Sequence, residues 1–313
     1  MINSSVLVGF QPDRRGADAL ALGTVLLRGG GGLDGVLTVA NVRPPGWRSH
    51  TKARVDAEWE AYLNERARAT LDRAREQLAA SGRPELAGVA TYLVGIARGS
   101  GRGLAGLART AQADVIVIGS APGGPRNGIS IGSTADQLLH GSPVPVMLAP
   151  KAYAGRRLDS FDRITVAYLR SPRCDDAVAL AAQVAAQSGV RLRLLTVVVG
   201  PRARGRVARL AKEQLRRMTD DHLADLAAAA RAAAAGSALT GQDVRIELVR
   251  GSGVAKAIMS ADWSPGELLV IASSGVGPLR KVFMGDMALK ILRAVPCPAI
   301  VLPRTTRERR FRS

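Results

Sequence analysis

Between Gly119 and Thr134 the chain gathers glycine and hydroxyl residues into one loop: Gly119, Ser120, Gly123, Gly124, Gly128, Ser130, Gly132, Ser133 and Thr134. The loop follows an apolar run and precedes a short helical pattern. A helix opening at Gly132 points its first backbone N–H groups, with no intrahelical acceptor, into the space above the run. Those donors and the helix dipole suit an anion such as phosphate, and the hydroxyls of Ser133 and Thr134 add two more contacts. The same residues admit a second reading. Ser133 could cap the helix, with Asp136 three residues on completing a capping box. Both readings stand at this level.

Other candidate chemistry is thinner. Gly101, Gly103 and Gly106 match the Gly-x-Gly-x-x-Gly dinucleotide pattern, but they follow a third strand and have no acidic residue at a strand end about 20 positions on, as ribose recognition needs. They read as turn glycines. No Gly-x-x-x-x-Gly-Lys-Ser/Thr phosphate loop occurs. His50, His140 and His222 are scattered, without Cys or carboxylates at metal-ligand spacing. Ser133 has no base beside it in sequence, so a nucleophile is not expected. The chemistry points to binding, with no metal and no committed enzyme activity.

The elements that must position this loop occur twice. Arg98-Gly99-Ser100-Gly101 is repeated as Arg250-Gly251-Ser252-Gly253, the run Asp114–Gly119 as Glu267–Ala272, and Ser142–Pro150 as Val295–Pro303, at nearly constant separation. A repeat of this period means two copies of one domain. In the first half, strands are expected at 6–9, 35–42, 89–96, 114–119 and 144–148, with helices at 17–27, 53–80, 104–112 and 134–140. The second half predicts strands at 164–167, 191–199, 244–249, 268–272 and 299–302, and helices at 175–187, 206–235, 254–261 and 287–293. Apolar runs without polar alternation mark strands covered on both faces. Strands alternating with helices imply parallel pairing with right-handed crossovers. The fold class is therefore α/β, with two Rossmann-like, doubly wound five-stranded parallel sheets related by a pseudo-twofold axis. The domains are residues 1–152 and 160–304, joined by a linker at 151–161, with a basic tail at 305–313. Pro143, Pro145, Pro296 and Pro298 flank or interrupt the last strands, as at sheet edges. A bare apolar edge invites pairing, so the last strands are expected to cover each other within the chain, with a homodimer as a further possibility.

The 313 residues carry a net charge of +18, nearly all from arginine, and 4% aromatics. Such an excess attracts polyanions, while the shortage of aromatics argues against stacking on single strands. The clusters Arg202, Arg204, Arg206, Arg209, Lys212, Arg216 and Arg217, and Arg304, Arg307, Arg309, Arg310 and Arg312, are solvated surface or contacts for nucleic acid or an acidic partner. No apolar stretch reaches the roughly 20 residues of a spanning helix. With no signal-like start and only Cys174 and Cys297, far apart, the expected setting is cytoplasmic with reduced thiols.

The strand, loop and helix around Gly119–Thr134 resemble the nucleotide loop of universal stress proteins, whose pattern is Gly-x-x-Gly, nine residues, then Gly-Ser/Thr. Gly119, Gly132, Ser133 and Thr134 fit, and Pro122 stands at the second glycine. In the second half Ala272, Gly275, Gly285 and Asp286 occupy the four places. The similarity spans both halves, so the chain looks like a tandem universal stress protein. The resemblance implies ATP or another adenine nucleotide as ligand, a role in stress response, and dimerisation through the fifth strand; it leaves the need for Mg open. It places the nucleotide against Gly9, Phe10, Gln11, Val39, Gly119, Gly132, Ser133 and Thr134, with Gly275 and Gly285 as the second half's counterparts. ATP binders of the family carry aspartate after the first strand, where this chain has Gln11 and Leu169. Asp286, at a helix start, would take up the donors a phosphate uses. The first half is therefore expected to keep the site and the second to be a degenerate copy. The alternative is a stress or interaction protein without a nucleotide site, acting through edge strands and basic surface.

Overall fold

The computed structural model describes residues 5–28, 35–46, 53–81, 84–125, 127–200, 205–241, 243–273 and 285–303. The chain divides into two compact units, one over Met1–Asp159 and one over Ser160–Arg304. In the first unit the elements run β1 (Ser5–Gly9), α1 (Arg14–Arg28), β2 (Val36–Arg43), α2 (Ala53–Ala80), α3 (Pro84–Val89), β3 (Thr91–Ile96), α4 (Ser100–Thr110), β4 (Val115–Gly119), α5 (Ser133–Gly141) and β5 (Val146–Ala149). The second runs β6 (Arg163–Ala167), α6 (Pro172–Ser188), β7 (Arg191–Val199), α7 (Gly205–Ala235), β8 (Val244–Gly251), α8 (Val254–Met259), β9 (Glu267–Ala272), α9 (Asp286–Ala294) and β10 (Ala299–Leu302).

Within the first unit the strand order is β3-β2-β1-β4-β5, and within the second β8-β7-β6-β9-β10. The pairings within each unit are parallel. Central strands are buried along nearly their whole length, Val6 to Val8 and Val115 to Ile118 in the first unit and Arg163 to Ala167 in the second. This explains the unbroken apolar runs. In both sheets the order reverses beside the first strand: β1 lies between β2 and β4, and β6 between β7 and β9. The crevice at such a switch point, beyond the carboxyl ends of the strands, is where open α/β sheets bind ligands.

Three local features depart from the expectations. Residues 84–89 form α3, and the third strand starts at Thr91 instead of Val89. Pro84 at the first helical position and Glu85 in the first turn are favourable helix-start chemistry. Helix α1 begins at Arg14, ahead of the expected 17, because the Asp13 carboxylate accepts from the Arg15 and Gly16 amides at 2.9 and 3.3 Å. Helix α4 begins at Ser100, so Gly101 and Gly103 are helical instead of turn residues. A Cβ on Gly101 would lie 2.6 Å from the Thr134 carbonyl oxygen, and one on Gly103 2.5 Å from Val42 Cγ1. These glycines let α4 press against α5 and β2.

The start of the expected linker belongs to the first unit. A 3-10 turn at Tyr153–Arg156 sets the buried Tyr153 ring near α1. The Asp18 carboxylate in α1 accepts from the Ala152 and Ala154 amides at 3.0 and 2.9 Å. Burial raises the Asp18 carboxyl above its ordinary value, and those amide bonds oppose the rise. Cys174 and Cys297 are free and buried.

The second unit buries a charge cluster at the amino-terminal ends of its strands. Arg193 and Glu267 are both 0% exposed. The Arg193 guanidinium donates to Thr165 Oγ1 at 2.9 Å, to Glu247 Oε2 at 2.9 Å, to the Asp262 carbonyl at 2.9 Å and to Glu267 Oε1. Arg163 Nη2 donates to the other Glu267 oxygen at 2.6 Å. Trp263 lies 4.7 Å from the Arg193 guanidinium, measured to the ring centroid. No helix among the described residues is long and apolar enough to cross a membrane.

Candidate functional site

At the switch point of the first unit lies a cleft of 220 Å3. Its floor is the end of β1, where Gly9 has no side chain because a Cβ would lie 2.7 Å from Leu104 Cδ1. One wall is Phe10, buried to 2% exposure, whose carbonyl accepts from Asn41 Nδ2 at 3.0 Å. At the rim, Gln11 Oε1 accepts from Arg15 Nη2 at 2.6 Å, and Arg15 is also held by Asp13 at 2.5 Å. That arginine and the adjacent amides keep the Asp13 carboxyl below its usual value, against the opposing effect of burial. Gly119 closes the end of β4; a Cβ there would meet the Arg15 carbonyl oxygen at 2.2 Å.

The far wall is the start of α5. Gly132 is the residue before the first turn, in extended backbone, and no side chain caps the helix. Ser133 is the first helical residue, so the capping-box reading is corrected. Asp136 instead sets its carboxylate 3.3 Å from His140 Nδ1. The first-turn amides of α5 therefore face the cleft without a capping side chain. Thr134 Oγ1 lies 2.5 Å from Ser100 Oγ, which brings the uncapped start of α4 to the same wall.

The structure thus brings together Gly9, Phe10, Gln11, Gly119, Gly132, Ser133 and Thr134 around one cleft. Val39 does not join them. It is 0% exposed inside the sheet, paired in register with Val8, and the next three residues, Ala40 to Val42, line the cleft instead. Gly275 lies outside the described residues, as do His50, Arg202, Arg204 and the tail from Arg304 on. Three polar lining residues were missed from sequence. Arg15 and Asn41 carry no local signal; Ser100 was visible only as a repeat marker.

The glycine loop folds on itself. Gly123 and Gly124 adopt left-handed backbone with φ of 80° and 73°, which glycine tolerates without strain. Ser120, buried beneath the loop, accepts from the Ser130 amide at 2.7 Å, and the Ala121 amide donates to the Ser130 carbonyl at 2.9 Å.

The corresponding place in the second unit is furnished differently. Tyr168 follows β6 where Phe10 follows β1, and its hydroxyl donates to Asp175 Oδ1 at 3.0 Å. Burial, with the bond to and charge of Asp175, pushes the phenol up to about 12. Leu169, at the position of Gln11, packs against the core. Cys174, at the position of Gly16, puts its sulfur 3.3 Å from the Leu169 amide. Gly285 precedes α9 as Gly132 precedes α5, again without a side-chain cap. Asp286 does not cap either; its exposed carboxylate pairs with Lys290 one turn on. The expectation that Asp286 takes up the helix-start donors is thereby corrected.

The universal stress protein family model matches residues 6–150 and again 160–303. Universal stress proteins of Mycobacterium tuberculosis and Mycobacterium bovis are each 33% identical over 303 residues, covering 96% of this chain and 99% of theirs. A universal stress protein structure from Archaeoglobus fulgidus aligns with a TM-score of 0.59 and 18% identity, over 97% of this chain and all of that one. One from Pseudomonas aeruginosa gives 0.53 and 15%, over 96% and 92%. Those two likenesses bear on the fold. The twofold family match and the full-length relatives place this chain in the universal stress protein family, with two copies of its domain in tandem.

Proposed function

We propose that the chain is an adenine-nucleotide-responsive regulatory module, with its nucleotide site in the cleft of the first unit and a second unit that has become structural. The observation that carries this reading is the start of α5: uncapped, preceded by Gly132, flanked by hydroxyls and opening on a cleft at the switch point. Such a helix end supplies fixed amide donors and a favourable dipole to a phosphate. The apolar Phe10 wall and the bare glycine floor at Gly9 leave a flat slot for a base and ribose. The second unit supports the division of labour. Leu169 removes the polar group at the rim, and the Asp286 carboxylate stands one residue into α9, where it repels an incoming phosphate.

The chain acts by binding and not by turnover in this reading, since the cleft residues form no nucleophile–base pair. The role is a stress response, as the family resemblance implies. Extraction of nucleotide from purified, denatured protein, quantified per chain, together with isothermal titration of adenine nucleotides, tests it. Binding at one site per chain, lost in a Ser133→Asp variant of unchanged melting temperature, is the expected result. Equal binding at two sites contradicts the assignment of the second unit.

A further inference from the structure

We infer that the amino-terminal half of α2 is a self-association surface, on which Trp59 and Tyr62 of one copy receive Arg66 of a second copy of this chain across a twofold axis. The surface lies on a different element from the walls of the nucleotide cleft, and the inference does not depend on what that cleft binds.

The first observation is exposure. Residues 57–62 of α2 are exposed without a break, whereas from Leu63 on the helix buries one side. Its first turns therefore carry aromatic rings into solvent. Trp59 is 47% and Tyr62 48% exposed, and the two rings stack with centroids 5.4 Å apart. Val55, Trp59, Tyr62 and Arg66 follow one another at spacings of four, three and four, which sets them on one helix face. Exposed rings of this size gain by leaving water, and Trp, Tyr and Arg are the residues that anchor protein interfaces.

The second observation is charge. The chain carries +18 overall, yet residues 55–65 hold Asp56, Glu58, Glu60 and Glu65 and no Lys or Arg. Residues 66–75 reverse this, with Arg66, Arg68, Arg73 and Arg75 against Asp72. A helix that is acidic and aromatic in one half and basic in the next complements itself when two copies cross antiparallel. Centred between Tyr62 and Arg66, that crossing sets Tyr62 against the partner's Arg66 and Trp59 against the partner's Ala69. Twofold symmetry makes each contact occur twice.

The third observation is how this chain covers aromatic rings elsewhere. The Arg75 guanidinium lies 4.3 Å from the Tyr92 ring centroid and donates to Asp72 at 3.1 Å. Arg193 lies over Trp263 while paired with Glu267. In both, a planar guanidinium covers a ring face and keeps a carboxylate, a combination that suits Arg better than Lys. Tyr62 has Glu58 four residues before it and Glu65 three after, its neighbours on the helix surface. Ring and carboxylate are thus repeated on α2, and the second copy supplies the guanidinium.

The test is sedimentation equilibrium of the full chain. Contacts below about 1,200 Å2 belong to the weak class, and a monomer–dimer equilibrium with Kd on the order of 10 µM is expected. Trp59→Ala/Tyr62→Ala and Arg66→Glu, each shown to be folded by its melting curve, are expected to raise Kd at least about tenfold. Arg66→Lys keeps the charge and loses the planar fork; a rise of about threefold or more is expected. A chain that stays monomeric at about ten times the expected Kd overturns the inference. Dimers that survive both disruptive variants place the contact elsewhere and overturn it as well. An unchanged Kd in Arg66→Lys overturns the stacking of the guanidinium as the cause. A monomer whose Trp59 and Tyr62 bind an added arginine-rich peptide overturns the second copy as the occupant.

Discussion

The starts of α5 and α9 are the same structural position in the two copies, and the chain treats them in opposite ways. Both follow a glycine, and neither carries a side-chain cap. At α5 the next residues are Ser133 and Thr134, and the wall continues through Ser100 into a cleft floored by Gly9. At α9 the next residue is Asp286, and after β6 the Tyr168 hydroxyl bonds to Asp175 and the Leu169 amide to Cys174 of α6, with Leu169 packed against the core. The first unit leaves polar groups unspent at the carboxyl ends of its strands. The second unit spends its polar groups at the amino-terminal ends, in the Arg193–Glu267 cluster. Where Arg163 and Glu267 face each other across β6 and β9, the first unit has the simpler bond from the Ser5 amide to Asp114 at 2.9 Å. The two copies thus differ in where hydrogen-bonding capacity is left open.

The comparison breaks most visibly at Glu267. Glu267→Ala leaves two buried guanidiniums without their shared carboxylate, and a loss of about 3–5 kcal/mol is expected in urea unfolding. A change below about 1 kcal/mol would show that the cluster is relieved by water and does not stabilise the second unit. Next is the seam that shapes the cleft. Gly101→Ala forces a Cβ against the Thr134 carbonyl, and a cost of about 1–3 kcal/mol is expected from thermal melts, with weakened nucleotide binding.

Exchanging the residues after the two glycines sharpens the contrast. Ser133→Asp is expected to lower adenine-nucleotide affinity by about tenfold or more, since the carboxylate opposes the phosphate at the helix start. Asp286→Ser is expected to create no titratable site, because Leu169 still supplies no polar group after β6; appearance of a second binding event would refute that expectation. The smallest effect concerns Tyr168. Its phenol is raised from 10.0 to about 12 in the folded protein. The stability it contributes is therefore fully present below pH 10 and is lost as pH rises through about 12. Tyr168→Phe should flatten the alkaline limb of the stability profile in that window, measured by chemical denaturation at each pH.

Much of the architecture was written locally. Uninterrupted apolar runs such as 115–118 and 268–271 can only be strands covered on both faces, and their alternation with helices fixes parallel sheets. Helix α3 was not legible because six residues carry too little periodicity, and its last residue, Val89, was taken into the strand that follows. Of the site, the glycines and hydroxyls were legible because they are concentrated in one loop. Val39 was misplaced by one residue, and because the cleft lies at the carboxyl ends of the strands, the step along β2 from Val39 to Ala40–Val42 is the difference between core and cleft.

By itself, the sequence determined the duplication, the sheet type, the switch-point loop and the loss of a polar rim residue at Leu169, because each is carried by neighbouring residues or by a fixed period. Only the tertiary structure decided which donors stay free. Ser133 proves not to cap its helix, Thr134 meets Ser100 from 34 residues away, Gln11 gives its oxygen to Arg15, and the loop's own amides and carbonyls pair with Ser120, Ser130 and Lys151. A hydrogen bond between distant segments is set by how helices and strands pack, and that geometry has no signature in local spacing.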